Sequence, residues 1–484
     1  MSEKSKSNPQ ELELKLELTP ESADRVEKLA LLRGKHGIGT VQESIYFDAP
    51  GHPLREQGIS LRVRRSGETF TQTIKRGSGA TGLFQREEWE QQVEGFDPDP
   101  SGFDDAALRK FRHLFDRLKP VVRVEVDRSI WLLDWNGSQI ELALDRGTVR
   151  AGKAQTPIVE LELELKSGDA ADLFDLARRI GETLPLRLSA LSKADRGFRL
   201  ASGEAGKAQK ATMPSLKAGL PVSRAFTAIV MECVRHFRLN EPLIAHSPEV
   251  LHQARVAMRR LRAALSLFRG VIRDDAYPRF RDDLRSLGGT LGNARNLDVF
   301  IQRHGPCLSG TDGAKLEQER NKAYAEVAGV LASPLMTGLF LDLIAWAHTG
   351  EWRNSRKAKR TIKRFARKRL GKVWAKTRAS GLRLLELTEE ERHHFRIDVK
   401  KLRYDVEFLG SLFDESKVRE FTSALEQMQE MLGDLNDQVT AREITAILSL
   451  DFVPDEGNWQ AARMLKKADS RYRKLERIDP FWEA

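Results

Sequence analysis

The sequence has few cysteines and no long apolar run. Its 484 residues include only two cysteines, Cys233 and Cys307, which excludes a framework of several disulfides and a zinc site built from cysteines. No stretch approaches the roughly 20 apolar residues that cross a bilayer. The N-terminal segment MSEKSKSNPQ is polar and lacks the apolar core of a signal peptide. These absences predict a cytoplasmic protein with no membrane segment.

The formal net charge of +10 is unevenly distributed along the chain. Residues 1–200 contain 31 lysines and arginines against 33 acidic residues, a net charge of −2, whereas residues 201–484 contain 49 against 37, a net charge of +12. A chain of this length exceeds one ordinary hydrophobic core. We therefore expect at least two domains, and we expect the basic second half to meet polyanions.

Alternation of apolar and charged residues dominates the first 200 residues, as in ELELKLEL at 11–18. A period of two residues is typical of strands. The predicted strands are 11–18, 41–47, 59–65, 69–75, 84–93, 121–134, 138–145 and 158–166. Between them, residues 19–32 start like a helix, with Thr19 as N-cap and Pro20 at the first position, and amphipathic helices are predicted at 106–118 and 169–184.

The composition changes after residue 200. Residues 201–215 are small and polar, which is typical of a linker, and helical spacing dominates beyond them. We predict an α+β multidomain protein: an antiparallel β domain over 9–200, a linker over 201–215 and an all-α helical bundle over 216–484.

The helical half contains an internal repeat. Residues 251–268 align with 392–409 at an offset of 141, and the same offset pairs LGNARN at 291–296 with LGDLND at 432–437. One offset across two separated motifs indicates duplication of a helical unit. We therefore predict a bundle with an internal two-fold repeat.

Glutamate and arginine recur on one face of strand after strand in the first half. For a single strand, the solvated face of an antiparallel sheet explains this pattern. The whole set favours a barrel with a charged interior, where charges are costly unless they are neutralised. A metal-complexed polyphosphate fits, because Arg and Lys contact phosphate oxygens and carboxylates hold Mg²⁺ or Mn²⁺.

ELELK resembles the ExExK signature of the CYTH superfamily, the triphosphate tunnel metalloenzymes. Further segments follow in the family's order: SIYFDAPGHPLREQGISLRVRR, the lysine of TIKRG, REEWE, IELALDRGTVRAG, IVELELEL and LSKADRGFRL. One departure is Ala49, where threonine is usual. The resemblance covers about residues 11–200 and implies an eight-stranded antiparallel tunnel that binds a triphosphate along its axis.

The resemblance also implies roles for individual charged residues, with metal-assisted hydrolysis as the chemistry. The implied catalytic residues are Glu11, Glu13 and Lys15. The implied phosphate contacts are Lys15, Arg62, Arg64, Lys75, Arg123, Arg128 and Lys193. The implied ligands of Mg²⁺ or Mn²⁺ are Glu11, Glu13, Asp145, Glu160, Glu162 and Glu164. Three further carboxylates either position cations or bind metal: Glu88, Glu90 and Glu141.

Basic residues in both copies of the helical repeat fall on one narrow helix face. His252, Arg255, Arg259 and Arg262 lie at i, i+3, i+7 and i+10. A solvated face is the ordinary explanation of such a stripe, but this one is duplicated with its histidine. The half resembles the CHAD domain over about 220–480, a family associated with inorganic polyphosphate. The implied polyphosphate-binding residues are His252, Arg255, Arg259, Arg260, Arg262, His393, Arg396, Lys400, Lys401 and Arg403.

Residues 353–383 contain 14 basic residues and no acidic residue. They form either a second polyanion surface or a nucleic-acid patch. We rank nucleic acid below polyphosphate because no motif for reading bases accompanies the charge.

The sequence thus predicts a divalent-metal-dependent inorganic triphosphatase joined to a polyphosphate-binding domain. Two alternatives stay open. One is adenylate cyclase or another organic triphosphatase activity in the same tunnel, and the other is a noncatalytic polyphosphate-binding scaffold.

Overall fold

The computed structural model describes residues 11–77, 83–106, 108–452 and 458–483. The chain forms two compact units. The first comprises Met1–Lys207 together with Ser333–Thr349, and the second comprises Ala208–Ala332 and Gly350–Ala484. One segment from within the C-terminal half therefore belongs to the first unit.

The first unit is built on one antiparallel sheet. Its strands are β1 (Glu11–Glu17), β2 (Ile38–Asp48), β3 (Ile59–Ser66), β4 (Thr69–Arg76), β5 (Leu83–Val93), β6 (Lys119–Trp135), β7 (Ser138–Ala151), β8 (Ala154–Ser167) and the short β9 (Arg187–Leu188). Their order is β5-β4-β3-β2-β6-β7-β8-β1-β9, and β1 also pairs with β5. The eight predicted strands are all present, so the antiparallel β domain is confirmed.

Alternation along the strands separates an apolar face from a charged face. Leu14 and Leu16 of β1 and Leu161 and Leu163 of β8 are buried on one face. The charged residues between them occupy the other face, since successive side chains of a strand point to opposite sides. Glu160 on β8 is nevertheless completely buried. The charged face therefore lines an enclosed space rather than open solvent.

Four α-helices accompany the first 207 residues of this unit. They are α1 (Pro20–Ala23), α2 (Pro53–Glu56), α3 (Ala170–Gly181) and α4 (Lys193–Ala201). The prediction for 169–184 corresponds to α3, whereas the segment predicted over 106–118 is a 3-10 helix, Arg109–Arg117.

The helix start predicted at 19–32 is confirmed, with Thr19 as N-cap and Pro20 in the first turn, but the α-helix ends at Ala23. The segment forms α1 followed by two 3-10 turns, Val26–Lys28 and Ala30–Leu32. Its buried apolar residues recur every three positions, at Ala23, Val26, Leu29 and Leu32. That period matches the 3.0 residues per turn of a 3-10 helix better than the 3.6 of an α-helix.

The second unit is helical. Its helices, numbered together with one helix of the first unit, are α5 (Val222–Asn240), α6 (Pro248–Ile272), α7 (Tyr277–His304), α8 (Gly310–Ala332), α9 (Pro334–Thr349, in the first unit), α10 (Ile362–Gly381), α11 (Glu389–Leu409), α12 (Glu415–Ile447) and α13 (Asn458–Glu476). Among the described residues, no helix is long and apolar enough to cross a membrane.

The predicted repeat is confirmed. Shifted by 141 residues, the bounds of α5–α8 fall within seven residues of those of α10–α13. In each copy the consecutive helices pack one on the next, and α6 packs against α11. The helix starts also meet: the N–H of Val222 donates to the Arg360 carbonyl (2.9 Å) and the N–H of Ile362 to the Leu220 carbonyl (2.8 Å).

Helix α9 lies between the two copies in sequence but packs on α3 and β9 in the first unit. The Asp342 carboxylate accepts a hydrogen bond from Nε of Arg178 in α3 at 3.0 Å. Leu343 and Ile344 are fully buried. An almost wholly apolar helix of this kind requires cover around its circumference.

Candidate active site

A cavity of about 740 Å³ lies in the first unit. Strands β1–β8 and the start of α4 contribute its lining. The cavity brings together most of the residues that the sequence proposed for the tunnel. Among its lining are Glu13, Lys15, Arg62, Arg64, Lys75, Glu88, Glu90, Arg128, Glu141, Glu162, Glu164 and Lys193.

Three buried carboxylates form a compact cluster beside this cavity. Asp145 of β7 lies opposite Glu160 of β8 in the strand register, and Glu162 follows two positions later on the same face. One oxygen atom from each residue lies within 4.8 Å of the others. We call these three residues the carboxylate cluster.

Lys193 contacts every member of the carboxylate cluster. Its Nζ lies 2.6 Å from Oδ2 of Asp145 and 2.8 Å from Oε1 of Glu162, and it also donates to Oε1 of Glu160. Burial alone would lower the pKa of Lys193, but the three carboxylates raise it above its ordinary value. The ammonium is therefore held in its charged form.

Two further cations reach the same carboxylates. Arg128 donates from Nε and Nη2 to the two oxygens of Asp145, both at 2.6 Å, and also donates to Glu162. Lys15 donates to Glu13 at 2.6 Å and to Glu162. Burial would raise the pKa of Glu162, but Lys15, Lys193 and Arg128 hold it well below its usual range.

The start of α4 positions Lys193. Ser192 and Asp195 form a capping box, in which the Ser192 hydroxyl accepts from the Asp195 N–H and the Asp195 carboxylate accepts from the Ser192 N–H. A side chain at Gly197 would bring a Cβ atom to 2.1 Å from Val122 of β6. Glycine therefore allows α4 to lie close against the sheet. From sequence, this segment was recognised only as part of a motif, and its helix was not predicted.

Another part of the lining is cationic. Arg62 and Arg64 of β3 lie opposite Tyr46 and Ser44 of β2 in the strand register. Burial, followed by the neighbouring Arg62 and Arg128, lowers the pKa of Arg64 to about 10. A cation whose charge is disfavoured in this way, as that of Arg64 is, makes a favourable contact with an anion.

Tyr46 is a lining residue that the sequence analysis did not single out. Burial would raise the pKa of its hydroxyl, but the charges of Arg62 and Arg64 lower it. The signal was available, since Gln42, Ser44 and Tyr46 alternate along one face of β2. Counting only charged residues on each strand left them out.

Other carboxylates of the lining pair with lysines. Glu164 and Glu141 lie 2.7 Å and 3.3 Å from Nζ of Lys166, whose side chain is about one-third exposed. Glu88 lies 3.0 Å from Lys75, and Glu90 accepts a hydrogen bond from Thr73.

Arg123 is not brought to the cavity. It lies an odd number of positions from Arg128 on β6, so its side chain points to the opposite face of the sheet. There its Nη1 pairs with Glu43 at 2.8 Å, and half of the side chain is exposed. The backbone of Glu11 pairs with Arg86 of β5, and its side chain lies outside the described residues.

The carboxylate cluster has the donor set for a divalent cation. Oxygen ligands are those that Mg²⁺ and Mn²⁺ prefer. Oε2 of Glu160 is buried and has no hydrogen-bond partner, although Arg196 approaches it at 3.9 Å. The cluster thus retains acceptor capacity beyond its contacts with Lys193, and its residues fit the metal that the family implies.

In the helical unit, the two basic stripes meet where α6 packs against α11. Burial, followed by the charges of Arg259, Arg295 and Arg396, lowers the pKa of Arg255 to about 10. Burial also lowers the pKa of Lys400 to about 7, helped by Arg396, Arg259 and Arg255. We call Arg255, Arg259, Arg396 and Lys400 the basic cluster.

Several predicted residues lie outside the basic cluster. Arg260 and Lys401 occupy the position after Arg259 and Lys400, about 100° further round each helix. Nη1 of Arg260 lies 2.6 Å from Glu407, and Nζ of Lys401 lies 3.8 Å from Asp398.

The remaining stripe residues have other neighbours. Arg403 pairs with Glu407 at 2.7 Å. Arg262 is exposed on α6. His393 is exposed beside His394. Burial lowers the pKa of His252, and Arg295 and Arg259 add to that effect.

The basic segment 353–383 contains α10. One face of α10 is buried through Ile362, Ala366, Leu370 and Trp374, as a helix packed on one side requires. Arg369 faces Asp405 of α11 at 3.4 Å. Arg364, Lys368 and Lys372 are exposed on the outer face.

Comparisons with known proteins assign each half to a domain family. The CYTH domain model matches residues 9–198, and the CHAD domain model matches residues 228–446. The fold and these matches define a two-domain protein with a β domain around a charged cavity and a duplicated helical domain. The chain is a CYTH–CHAD protein, with the CYTH domain first.

Individual relatives are similar to parts or most of the chain. An inorganic triphosphatase of Haemophilus influenzae is 33% identical over 199 residues, which is 40% of this chain and 55% of that protein. The chain thus matches about half the length of this curated relative. An uncharacterised protein of Mycobacterium tuberculosis is 26% identical over 446 residues, covering 83% of this chain and 81% of that protein.

Two solved structures are also similar. The CHAD domain of Ricinus communis has a TM-score of 0.47 and 29% identity, covering 57% of this chain and 93% of that chain. A Hippeastrum protein described as having a dominant triphosphatase activity has a TM-score of 0.30 and 18% identity, covering 40% of this chain and 96% of that chain.

Proposed function

We propose that the CYTH domain hydrolyses inorganic triphosphate to diphosphate and phosphate, with Mg²⁺ or Mn²⁺, and that the CHAD domain binds polyphosphate. The observation that carries the proposal is the division of charge around one cavity, in which the carboxylate cluster lies beside a lining that includes Arg62, Arg64 and Lys75. The CYTH family match and the similarity to an inorganic triphosphatase support the same reaction. We expect a cytoplasmic protein.

The cavity's own residues suggest how the substrate is oriented. Arg62, Arg64 and Lys75 would contact phosphate oxygens and oppose the charge repulsion within the chain. A divalent ion held by Asp145, Glu160 and Glu162 would neutralise phosphate charge and lower the pKa of a bound water. Water would add in line to the terminal phosphorus, and the bond from that phosphorus to the bridging oxygen would break. Because water is the nucleophile and the lining residues position the triphosphate, no side-chain nucleophile is required.

Phosphate release tests this proposal directly. The full chain would be incubated with triphosphate, ATP, thiamine triphosphate and long-chain polyphosphate, each with Mg²⁺ or Mn²⁺. We expect rapid release from triphosphate and slow release from the others. Cyclic AMP formed from ATP would support the cyclase alternative, and binding of triphosphate without release from any substrate would support the scaffold.

The basic cluster supports polyphosphate binding by the CHAD domain. Its residues come from both copies of the repeat. Burial and the neighbouring cations of the cluster lower the pKa values of Arg255, Arg396 and Lys400, so a polyanion would relieve the repulsion between these charges. Asp437 of α12 is a carboxylate whose charge opposes the lowering of the pKa of Lys400, and it lies 3.0 Å from Arg303. We rank nucleic acid lower because these described residues offer charge without base recognition.

Lys400 predicts a pH dependence for polyphosphate affinity. With a pKa of about 7 in the free protein, its amine is neutral above that pH and becomes a cation below it. Binding a polyanion favours the cation, so affinity should increase by up to about tenfold between pH 8 and pH 6. Fluorescence anisotropy with labelled polyphosphate at constant ionic strength measures the change.

Lys400→Gln should remove most of this pH dependence, while Lys322→Gln on α8, where Lys322 pairs with Glu319 at 2.5 Å, should retain it. Protonation of His252 contributes at lower pH, because its pKa is lowered from the ordinary value. An affinity that is constant between pH 6 and pH 8, or equally pH-dependent in Lys400→Gln, contradicts the assignment.

A further inference from the structure

Lys193 occupies the position from which a divalent cation would contact the carboxylate cluster. An ammonium group has three N–H donors, and Lys193 places Nζ within contact of one oxygen from each of Asp145, Glu160 and Glu162. Two of these oxygens, Oε1 of Glu160 and Oε1 of Glu162, come from residues two positions apart on β8. The lysine thus satisfies all three carboxylates from one point.

The charges near this point are almost balanced without a metal. Three cations, Lys15, Arg128 and Lys193, contact four carboxylates, those of Glu13 and the carboxylate cluster. Arg196 lies 3.9 Å from Glu160, and its charge is balanced by Glu17 at 2.5 Å. Adding a divalent cation would reverse the net charge of this group and place it against the Lys193 ammonium. Like charges at such short range repel strongly in a buried site.

The Lys193 side chain can move away from the carboxylate cluster toward the cationic part of the lining. Its side chain is long and flexible, and its backbone is fixed by the capping box at the start of α4. Its charge is already felt by Tyr46, which lies beside Arg62 and Arg64 in the cationic part of the lining. Phosphate oxygens that contact Arg62 and Arg64 would lie on this side of the cavity. An ammonium of Lys193 that turned toward Tyr46 would therefore approach them.

We propose that Lys193 and a divalent cation exchange at the carboxylate cluster, so that metal binding releases the lysine to contact the phosphate chain. This inference rests on the proposed function and adds the order in which lysine, metal and triphosphate occupy the site. Lys193 keeps the carboxylates neutralised before loading, opposes metal binding in the absence of substrate, and becomes a phosphate contact when metal and triphosphate bind together. Oε2 of Glu160 offers the metal a ligand atom, since it is buried without a hydrogen-bond partner and Arg196 is no nearer than 3.9 Å.

Metal titration of the full chain without triphosphate tests the exchange. Calorimetric titration with Mn²⁺ should give Lys193→Met an affinity at least about tenfold higher than the wild type, because the competing cation is gone. Lys15→Met should give a smaller gain, since Lys15 contacts Glu162 but neither Asp145 nor Glu160 in the ion pairs described. Lys153→Met, an exposed lysine of the β7–β8 turn, is the matched control and should leave Mn²⁺ affinity unchanged.

A second titration separates competition from general damage. With Mn²⁺ saturating, Lys193→Met should bind triphosphate at least about tenfold more weakly than the wild type, because a charge-assisted phosphate contact is lost. Opposite changes in metal and triphosphate affinity from one substitution are expected from exchange alone. Weaker Mn²⁺ binding by Lys193→Met, or unchanged binding, overturns the proposal.

Thermal melting of Lys193→Met shows whether the variant is folded. If Lys193→Met is unfolded without metal, Mn²⁺ should refold it and raise Tm by more than it raises that of the wild type. Absence of that rescue also overturns the exchange. The outcome is independent of hydrolysis. If Lys193→Met binds Mn²⁺ more tightly but the wild type releases no phosphate, the exchange stands and the proposed triphosphatase activity falls. If the wild type releases phosphate but Lys193→Met does not bind Mn²⁺ more tightly, the activity stands and the exchange falls.

Discussion

Glu162→Gln should lower kcat/KM for triphosphate by about 10²–10³-fold, the effect of removing one charge-stabilising group from a buried reaction site. Glu162 accepts from Lys15, Arg128 and Lys193, more cations than any other member of the carboxylate cluster contacts in the described ion pairs. Glutamine keeps the shape but removes the charge and one acceptor. The substitution should therefore lower the affinity for the metal and displace the three cations. Steady-state phosphate release and Mn²⁺ calorimetry measure the two effects.

The same substitution should destabilise the fold. Removing one partner of a buried ion pair costs about 3–5 kcal/mol, and Glu162 is only 6% exposed. Glu125→Gln is the control, because Glu125 lies on the outer face of β6, where its side chain is 42% exposed and pairs with Arg150 at 2.9 Å. It should retain kcat/KM within about twofold and Tm within a few degrees. Equal activity of the two variants would place catalysis elsewhere.

Strand existence was predictable because the alternating pattern depends only on neighbouring residues. All eight predicted strands occur, and their charged faces line the cavity. The short β9 was missed, since two residues carry no period. The 3-10 turns after α1 were missed because a three-residue period resembles an irregular helical one over so few residues.

The candidate site was predictable as a set of residue types but not as a network of contacts. Parity along β6 would have excluded Arg123 if Arg128 had been fixed as an inward residue, because the two are five positions apart. The contacts of Lys193 required knowledge that the residues after β9 turn into α4. Sequence offers no distance between that helix and the carboxylates of β7 and β8.

In the helical half too, the corresponding segments were predictable from sequence but the contacts between their side chains were not. The 141-residue offset predicted which segments correspond, and the structure reproduces it from α5–α8 to α10–α13. Which stripe residues converge depended on the packing of α6 against α11, which brings Arg255 near Arg396 and leaves Arg260 with Glu407. The lowered pKa of Lys400 follows from that burial and could not be inferred from spacing.

Leu343→Asp should unfold the first unit although residue 343 lies within the C-terminal half of the sequence. Leu343 is fully buried in α9, which packs on α3 and β9. Burying an unpaired carboxylate there costs several kcal/mol, enough to remove most of the stability of an ordinary domain. Since β9 continues toward the start of α4, which carries Lys193, triphosphate hydrolysis should be lost with the fold. Thermal melting followed by near-UV circular dichroism, together with phosphate release, measures both losses.

Leu335→Asp is a matched control on the same helix, because Leu335 is 67% exposed. It should change Tm by no more than a few degrees and leave hydrolysis intact. If Leu343→Asp melts like the wild type and hydrolyses triphosphate normally, α9 is not an integral part of the first unit.

The discontinuity of the first unit has a consequence for biosynthesis. Ribosomes make the chain from its N-terminus, and 125 residues, 208–332, separate Lys207 from the start of the segment containing α9. At about 5–20 residues per second, that interval lasts roughly 6–25 s, during which the nascent β domain lacks the helix that covers α3. The first helical copy, α5–α8, is complete before the β domain is. We expect nascent chains stopped before residue 333 to expose the apolar surface of α3 and β9 and to be the species that chaperones and proteases encounter.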